Sequence, residues 1–153
     1  MNNFFTVKLK YTKQLDNGAL KRVTEPYLIG AHSFTDAETR IYEELGDVIK
    51  GEFQINAISK TEVQDIFQYD DCDSWYKIKV KYINIDSGKS KKVTQSFLVS
   101  ADSVAQAHER IKENLSGLMV DFEIPSVAKT PIVEIFPMKY KELGEEIEKL
   151  KNK

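Results

Sequence analysis

Residues 75–82 read WYKIKVKY, and residues 4–11 read FFTVKLKY. In both stretches apolar side chains alternate with lysines, which is the period-two pattern of a β-strand with one buried face. The match continues from KRVTEPYL (21–28) to KKVTQSFL (91–98). The offset between matching residues drifts only from 71 to 69, so two single-residue deletions bring about 60 residues into register. The sequence therefore predicts an internal duplication.

Each copy begins with a predicted β-hairpin. The first strands are followed by DNG at 16–18 and by DSG at 86–88. The glycine at the end of each triplet suits the positive φ of a tight turn. A second strand is then predicted at about residues 22–30 and 92–100, which are rich in Val, Thr and aromatic residues.

A helix follows each hairpin. Capping boxes with S/T-x-x-E/Q spacing occur at Thr35–Glu38 and at Ser103–Gln106. Apolar residues then recur at helical spacing, which predicts one stripe packed on the sheet. Extended segments close each copy, and Pro125 and Pro131 predict an edge position or a bend in the second. The stripes are Ala37, Ile41, Leu45 and Val48 in the first copy and Ala107, Ile111, Leu115 and Leu118 in the second.

The predicted fold class is α+β, with a ββαβ(β) unit present twice. One copy of about 65 residues would bury a marginal core, so we expect the two copies to pack with pseudo-twofold symmetry into a single globule. The expected boundaries are repeat 1 at 4–67, an acidic connector at 68–74, repeat 2 at 75–136 and a C-terminal helical extension at 137–153.

The composition is that of a soluble intracellular protein. The 153 residues are 41% hydrophobic and carry a net charge of −2. No apolar run approaches the roughly 20 residues that span a bilayer. The lone Cys72 has no partner for an intramolecular disulfide, which agrees with a reducing compartment. We therefore expect a cytoplasmic protein with no membrane partner and no cofactor.

Charge is unevenly distributed along the chain. Residues 6–23 hold five basic side chains against one acidic side chain, for a net charge of +4, and residues 77–92 hold six against one, for +5. The rest of the chain therefore carries −11. Both predicted hairpins are basic segments of an acidic protein.

The lysines of the hairpins are candidate contacts for a polyanion. Alternate residues of a strand lie about 6.6 Å apart on one face, a spacing suited to tracking a phosphate backbone. Trp75 has the parity of the lysines that follow it, so its ring is the candidate for stacking on bases. The competing interpretation is that these lysines serve only solubility and keep sheet edges from pairing. The candidate nucleic-acid-binding residues are Lys8, Lys10, Arg22, Trp75, Lys77, Lys79, Lys81 and Lys92.

Catalytic and metal-binding patterns are poorly represented. His32 and His108 align with Asp102 and Glu38 of the other copy, so neither histidine is repeated. The chain has no HExxH, GxSxG or phosphate-loop motif and no paired CxxC. The carboxylates of YDDCD (69–73) lack the glycine and the ligand spacing of an EF-hand loop, which favours a solvated connector. We expect no enzyme activity, no catalytic residue and no metal site.

Residues 21–45, KRVTEPYLIGAHSFTDAETRIYEEL, and the later EIF at 134–136 resemble a family of small uncharacterised proteins of the domain-of-unknown-function kind, from Bacteroides-type bacteria and their phages. Its members carry a KVTE-YLV-A-SFTEAEARI phrase after a lysine and aromatic strand. The resemblance assigns no catalytic residue, and it implies a phage or mobile-element setting. The matching residues are Val23, Thr24, Glu25, Tyr27, Leu28, Ala31, Ser33, Phe34, Thr35, Ala37, Glu38, Arg40 and Ile41.

Two functions remain open from the sequence. The leading hypothesis is a non-enzymatic protein whose two basic hairpins bind single-stranded DNA or RNA or another polyanion. The alternative is a protein-interaction or structural module, such as a virion component or an inhibitor of host defence. Such a module would recruit a protein, or a second copy of the chain, through strand edges or the C-terminal helix.

Overall fold

The computed structural model describes residues 3–49, 51–86, 88–118 and 121–138. This part of the chain forms two four-stranded sheets and two helices, so the predicted α+β class is confirmed. Neither of these helices is long and apolar enough to cross a membrane. Most of the expected C-terminal helix, from residue 139 onward, falls outside the described residues.

The elements are numbered along the chain. The first half holds β1 (Phe4–Gln14), β2 (Leu20–Gly30), α1 (Phe34–Leu45), β3 (Phe53–Thr61) and β4 (Asp65–Phe67). The second half holds β5 (Trp75–Asp86), β6 (Lys89–Ser100), α2 (Val104–Asn114), β7 (Phe122–Lys129) and β8 (Ile135–Phe136).

The chain divides into two compact units. Unit 1 comprises the described residues up to 60 together with 135–138, and unit 2 comprises those from 61 to 134. The strand order is β3-β1-β2-β8 in the sheet of unit 1 and β4-β6-β5-β7 in the sheet of unit 2. The pseudo-twofold packing expected for the two copies stays a prediction.

The core of unit 1 lies between its long hairpin and α1. The antiparallel register places Phe5 opposite Ile29 and Val7 opposite Tyr27, so apolar side chains of both strands share one face. Helix α1 covers that face with Ala37 and Ile41, which are fully buried in the same cluster. Gly18 turns the hairpin with φ at +83°, as predicted for the DNG triplet.

Unit 2 repeats this arrangement with different side chains. Tyr76 lies opposite Val99 and Ile78 opposite Phe97, and α2 packs on them through Ala107 and Ile111. Gly88 in the second turn has φ at +77°, again as predicted.

The last strand of each predicted repeat lies in the sheet that contains the hairpin of the other repeat. Strand β4, at the end of repeat 1, pairs in parallel with β6, and Ile66 lies opposite Leu98. Strand β8, at the end of repeat 2, pairs in parallel with β2, and Ile135 lies opposite Leu28. Sequence pattern alone does not choose between the two sheets, because a strand of two or three apolar residues fits either edge.

The predicted capping box of α2 is confirmed. The Ser103 hydroxyl accepts a hydrogen bond from the Gln106 amide at 3.1 Å. The Gln106 side chain accepts one in return from the Asp102 amide at 2.6 Å. One amide of the first turn and the amide of the residue before the N-cap are thereby satisfied.

The predicted capping box of α1 is wrong. The N-cap is Ser33, whose hydroxyl accepts from the Asp36 amide at 3.1 Å, and the Asp36 carboxylate accepts from the His32 amide at 2.9 Å. Thr35 lies inside the helix, where its hydroxyl is not needed as a cap. Asp36 accepts the hydrogen bond that the prediction assigned to Glu38. The two N-caps, Ser33 and Ser103, therefore occupy matching positions.

The apolar stripes end earlier than predicted. Helix α1 ends at Leu45, and Val48 beyond it is 70% exposed. The amides of Val48 and Ile49 both bond to the Leu45 carbonyl, so a turn follows the helix and directs Ile49 to the core instead. Leu118 is likewise exposed beyond the end of α2.

Pro125 lies in an edge strand with an irregular register, as predicted. Among the described residues β7 pairs with β5 alone, and the register shifts between Lys79 and Lys81. Proline has no amide hydrogen to donate to a ladder, so an edge strand with a bulge tolerates it.

Candidate functional site

The lysine face of unit 1 is the side of the β1–β2 hairpin opposite α1, and it carries Lys8, Lys10 and Arg22. Lys8 lies opposite Pro26 and Lys10 opposite Thr24, and all three basic side chains are exposed. Arg22 donates a hydrogen bond to the Thr12 hydroxyl across the ladder at 3.4 Å. The described residues of β1 and β2 on this face include no carboxylate.

The lysine face of unit 2 is the corresponding side of the β5–β6 hairpin, and it carries Lys77, Lys79, Lys81 and Lys92. Cross-strand partners such as Leu98 opposite Lys77 share the face. Lys81 is half-buried and the other three lysines are exposed. Glu123 of β7, opposite Lys81, is the neighbouring carboxylate on the edge strand.

These basic side chains are free of ion pairs within the part of the chain that the structure describes. The ion pairs found there are Lys13–Glu25, Arg40–Glu44 and Arg110–Asp71, and none of them includes a residue of either lysine face. Each unit therefore presents three or four basic groups to solvent from one face of its sheet.

Trp75 cannot act as the predicted stacking platform. The residue is only 4% exposed, and its carbonyl accepts from the amide and the hydroxyl of Thr130 at 2.8 and 2.9 Å. Its neighbour Leu98 on the same face is also buried. Alternation predicts on which face of the sheet a side chain lies, but it does not predict how far along the strand the side chains of that face are exposed to solvent. We therefore remove Trp75 from the candidate contacts.

Two exposed isoleucines continue the lysine face of unit 2, and sequence reasoning missed them. Ile83 is 51% exposed and Ile85 is 73% exposed. They follow Lys81 with the same alternation, and Ile83 lies opposite Lys92. The available signal was two apolar residues at lysine parity, on the face of β5 opposite the one that packs against α2.

Arg110 of α2 fixes the connector in unit 2. Its guanidinium donates to the Ser100 carbonyl at 2.8 Å, to Cys72 Sγ at 3.2 Å and to Asp71 Oδ2 at 2.7 Å. It also lies 4.0 Å from the centre of the Tyr69 ring. The carboxylates of the connector, Asp70, Asp71 and Asp73, are exposed as expected, but Tyr69 and Cys72 are half-buried because a buried arginine on the helix binds this segment.

Arg40 of α1 has the matching position in unit 1. It donates to the Gly30 carbonyl, to the Pro137 carbonyl at 3.2 Å and to Glu44 Oε1 at 3.3 Å. Each arginine therefore joins the end of a hairpin to the segment that follows an edge strand. We assign both arginines a structural role, since both are buried and their terminal guanidinium nitrogens make these contacts, while Arg40 Nε has no hydrogen-bond partner among the described residues.

The Arg110 contact predicts a pH-dependent stability. Hydrogen bonding to Arg110, and then to Cys72, lowers the pKa of the Asp71 carboxyl. A lowered folded-state pKa contributes stability that is present above the unfolded value, roughly 3.9, and is lost as the pH falls through the folded value. Asp71→Asn should therefore lower the urea midpoint at neutral pH, and the two midpoints should converge in acid. A difference that is constant from neutral to acidic pH would contradict this role.

A cavity of about 410 Å³ opens in unit 1 between the hairpin and the turn that follows α1. The Tyr11 hydroxyl beside it donates to Glu25 Oε2 at 2.7 Å. Burial and this bond raise the pKa of Tyr11 above its ordinary value, so the phenol stays protonated. The described lining includes no histidine, cysteine or carboxylate and offers no acid–base pair. It consists of Tyr11, Thr12, Lys13, Gln14, Leu20, Tyr27, Val48 and Ile49.

Within the described residues, no three His, Cys, Asp or Glu side chains are arranged to hold a metal ion. His32 is exposed on the turn before α1, and His108 is half-buried on α2. Neither histidine lines the cavity of unit 1.

Comparison with known proteins identifies the family. A family model described as a domain of unknown function, DUF4494, matches residues 3–138. The match covers most of the chain, so the protein belongs to this family, and the resemblance to an uncharacterised domain family is confirmed. No curated protein matches the chain, and neither does any solved structure.

Proposed function

We propose that this member of the DUF4494 family is a non-enzymatic protein that binds a polyanion, with single-stranded DNA or RNA as the candidate ligand. The observation that carries the proposal is the placement of three basic residues of the first hairpin and four of the second on one face of their sheets, where none of the seven has an ion pair among the described residues. The contacts would be Lys8, Lys10 and Arg22 in unit 1 and Lys77, Lys79, Lys81 and Lys92 in unit 2.

The proposed binding is electrostatic and independent of sequence. Lysines at alternate positions contact successive phosphates and release condensed counterions. The two basic segments carry +4 and +5 on a chain whose total charge is −2. The attraction for a polyanion is therefore local to the hairpins, and it decays over a Debye length of about 10 Å at 0.1 M salt.

We further propose an origin and a setting for the protein. The shared hairpin, helix cap and buried arginine of the two units support an internal duplication of the ββαβ(β) unit. The resemblance noted in the sequence supports a bacterial or phage protein that acts in the cytoplasm of a bacterial host. A single-strand-binding accessory of phage or mobile-element replication agrees with both.

A salt titration tests the proposed function. Anisotropy of a fluorescein-labelled oligo(dT) should report binding at low salt, and log Kd should rise linearly with log salt concentration. Each phosphate contact contributes a slope of about 0.7 for a single strand, so four contacts on unit 2 predict about 3 and seven contacts predict about 5. Absence of binding at the lowest salt, or a slope near zero, would overturn the proposal.

A protein-interaction or structural module is the second candidate. Leu20 and Val48 are both more than two-thirds exposed beside the cavity of unit 1, and apolar side chains at a concave surface suit a protein partner. In that case the lysines serve solubility, and the chain would be a virion component, an oligomer or an inhibitor of host defence. Self-association in sedimentation experiments without salt-dependent oligonucleotide binding would favour this candidate.

A further inference from the structure

We propose that Ile83 and Ile85 contact nucleobases, so that the ligand of unit 2 is a nucleic acid rather than a polyanion without bases. This inference rests on the proposed function and assigns a second kind of contact to the same face. Lysines alone bind any chain of phosphates or sulfates. Only a nucleic acid offers a regular phosphate backbone with flat, poorly hydrated bases beside it.

The two isoleucines lie at the open end of the lysine face of unit 2. Side chains on this face alternate along β5 from Lys77 through Lys81 to Ile85. Cross-strand pairing places Ile83 opposite Lys92 and Ile85 opposite Ser90. The apolar pair is therefore continuous with the charged groups on one surface.

Neither isoleucine belongs to the buried cluster of unit 2. The buried cluster of unit 2 takes Ile78 and Val80 from the other face of β5, and α2 covers only that face. Single exposed apolar residues are ordinary on protein surfaces. Two of them side by side, next to lysines, form a small apolar surface that the described residues leave exposed and that a bound partner would cover.

Unit 1 lacks this feature. The residues of β1 that align with Ile83 and Ile85 are Thr12 and Gln14, which are polar and exposed. The general demands of a hairpin therefore do not require isoleucine at these positions. The difference indicates that unit 2 offers base contacts in addition to phosphate contacts, whereas unit 1 offers phosphate contacts alone.

The chemistry suits a single strand. The bases of a single strand are free to turn toward a protein surface while the phosphates stay on a basic track. Isoleucine is among the apolar side chains that insert between neighbouring bases in protein–DNA complexes. Because Trp75 is buried, Ile83 and Ile85 are the described apolar groups of this face that remain accessible to a base.

The test compares a nucleic acid with a matched backbone that lacks bases. The double change Ile83→Ser and Ile85→Ser should weaken binding to labelled oligo(dT) about 10-fold and leave the salt slope unchanged. Binding to an abasic oligonucleotide of the same length, and the displacement of that abasic oligonucleotide by dextran sulfate, should not change. The matched control is Val104→Ser with Val133→Ser, since both valines are exposed in unit 2 and neither lies on the β5–β6 hairpin.

The outcomes separate this inference from the proposed function. If the unaltered protein binds neither oligonucleotide, the proposed function fails and the base contact fails with it. If it binds both and the serine variant is unchanged, or is weakened equally for both, the base contact alone is overturned. Unfolding midpoints of the serine variant should equal those of the unaltered protein, because both isoleucines are exposed.

Discussion

Changing Lys77, Lys79 and Lys81 together to glutamate is expected to lower the affinity for a single-stranded oligonucleotide about 100-fold at low salt. The change removes three adjacent cations from one face of β5 and puts three carboxylates against the phosphates. Loss of three contacts should also flatten the salt slope by about 2. Anisotropy titrations of the variant at three or four salt concentrations measure both quantities.

The matched control reverses the charge at three other lysines of unit 2. Lys91 lies opposite Asn84 and Lys129 opposite Tyr76, at the parity of the side that faces α2, and Lys112 is in the last turn of α2. All three are exposed, so Lys91→Glu, Lys112→Glu and Lys129→Glu together change the net charge by the same amount. The control should lose far less affinity than the first variant.

Equal losses in the two triple variants would show that net charge, and not the lysine face, governs binding. In that case the local arrangement of Lys77, Lys79 and Lys81 would have no part in recognition. Retention of full affinity by the first variant would remove the lysine face of unit 2 from the proposed site and leave unit 1 as the sole candidate.

The lysine faces could be predicted from the sequence because a strand has a fixed period. Once Ile78 and Val80 are assigned to a core, Lys77, Lys79 and Lys81 must point to the other side. The turn glycines were predictable for a similarly local reason, since a positive φ is costly for other residues. These features depend on residues that are close together in the chain.

Features that depend on distant contacts were not predictable. Trp75 has lysine parity, yet it is buried at the covered end of its face. The carboxylates of the connector are exposed as expected, but no local pattern indicates that Arg110, 39 residues beyond Asp71 in the chain, binds this segment. In both cases the burial depends on tertiary packing, which the local alternation of residues does not predict.

Distant contacts also decide which sheet each short edge strand joins. Phe67 falls in predicted repeat 1, but it stacks on Phe97 of unit 2 with ring centres 6.0 Å apart. Phe136 falls in predicted repeat 2, but it stacks on Tyr27 of unit 1 at 6.2 Å. Each unit therefore takes part of its core from a strand of the other predicted repeat, and this exchange has a measurable consequence.

Phe67→Ala is expected to destabilise unit 2 by about 2 kcal/mol, and Phe136→Ala to destabilise unit 1 by a similar amount, because each change removes a half-buried ring from a core and a stacked pair. Hydrogen exchange followed by mass spectrometry locates the effect. Phe67→Ala should accelerate exchange in β5, β6 and α2, and Phe136→Ala should accelerate it in β1, β2 and α1.

Each phenylalanine variant serves as the control for the other, since both remove the same side chain from a short parallel edge strand. If each repeat instead folded on its own strands, the pattern would be reversed: Phe67→Ala would accelerate exchange in β1, β2 and α1. Acceleration spread evenly over both units would mean that they unfold as one cooperative body, and the exchanged strands would then have no local effect. Only acceleration confined to the unit whose sheet contains the altered strand agrees with the exchange.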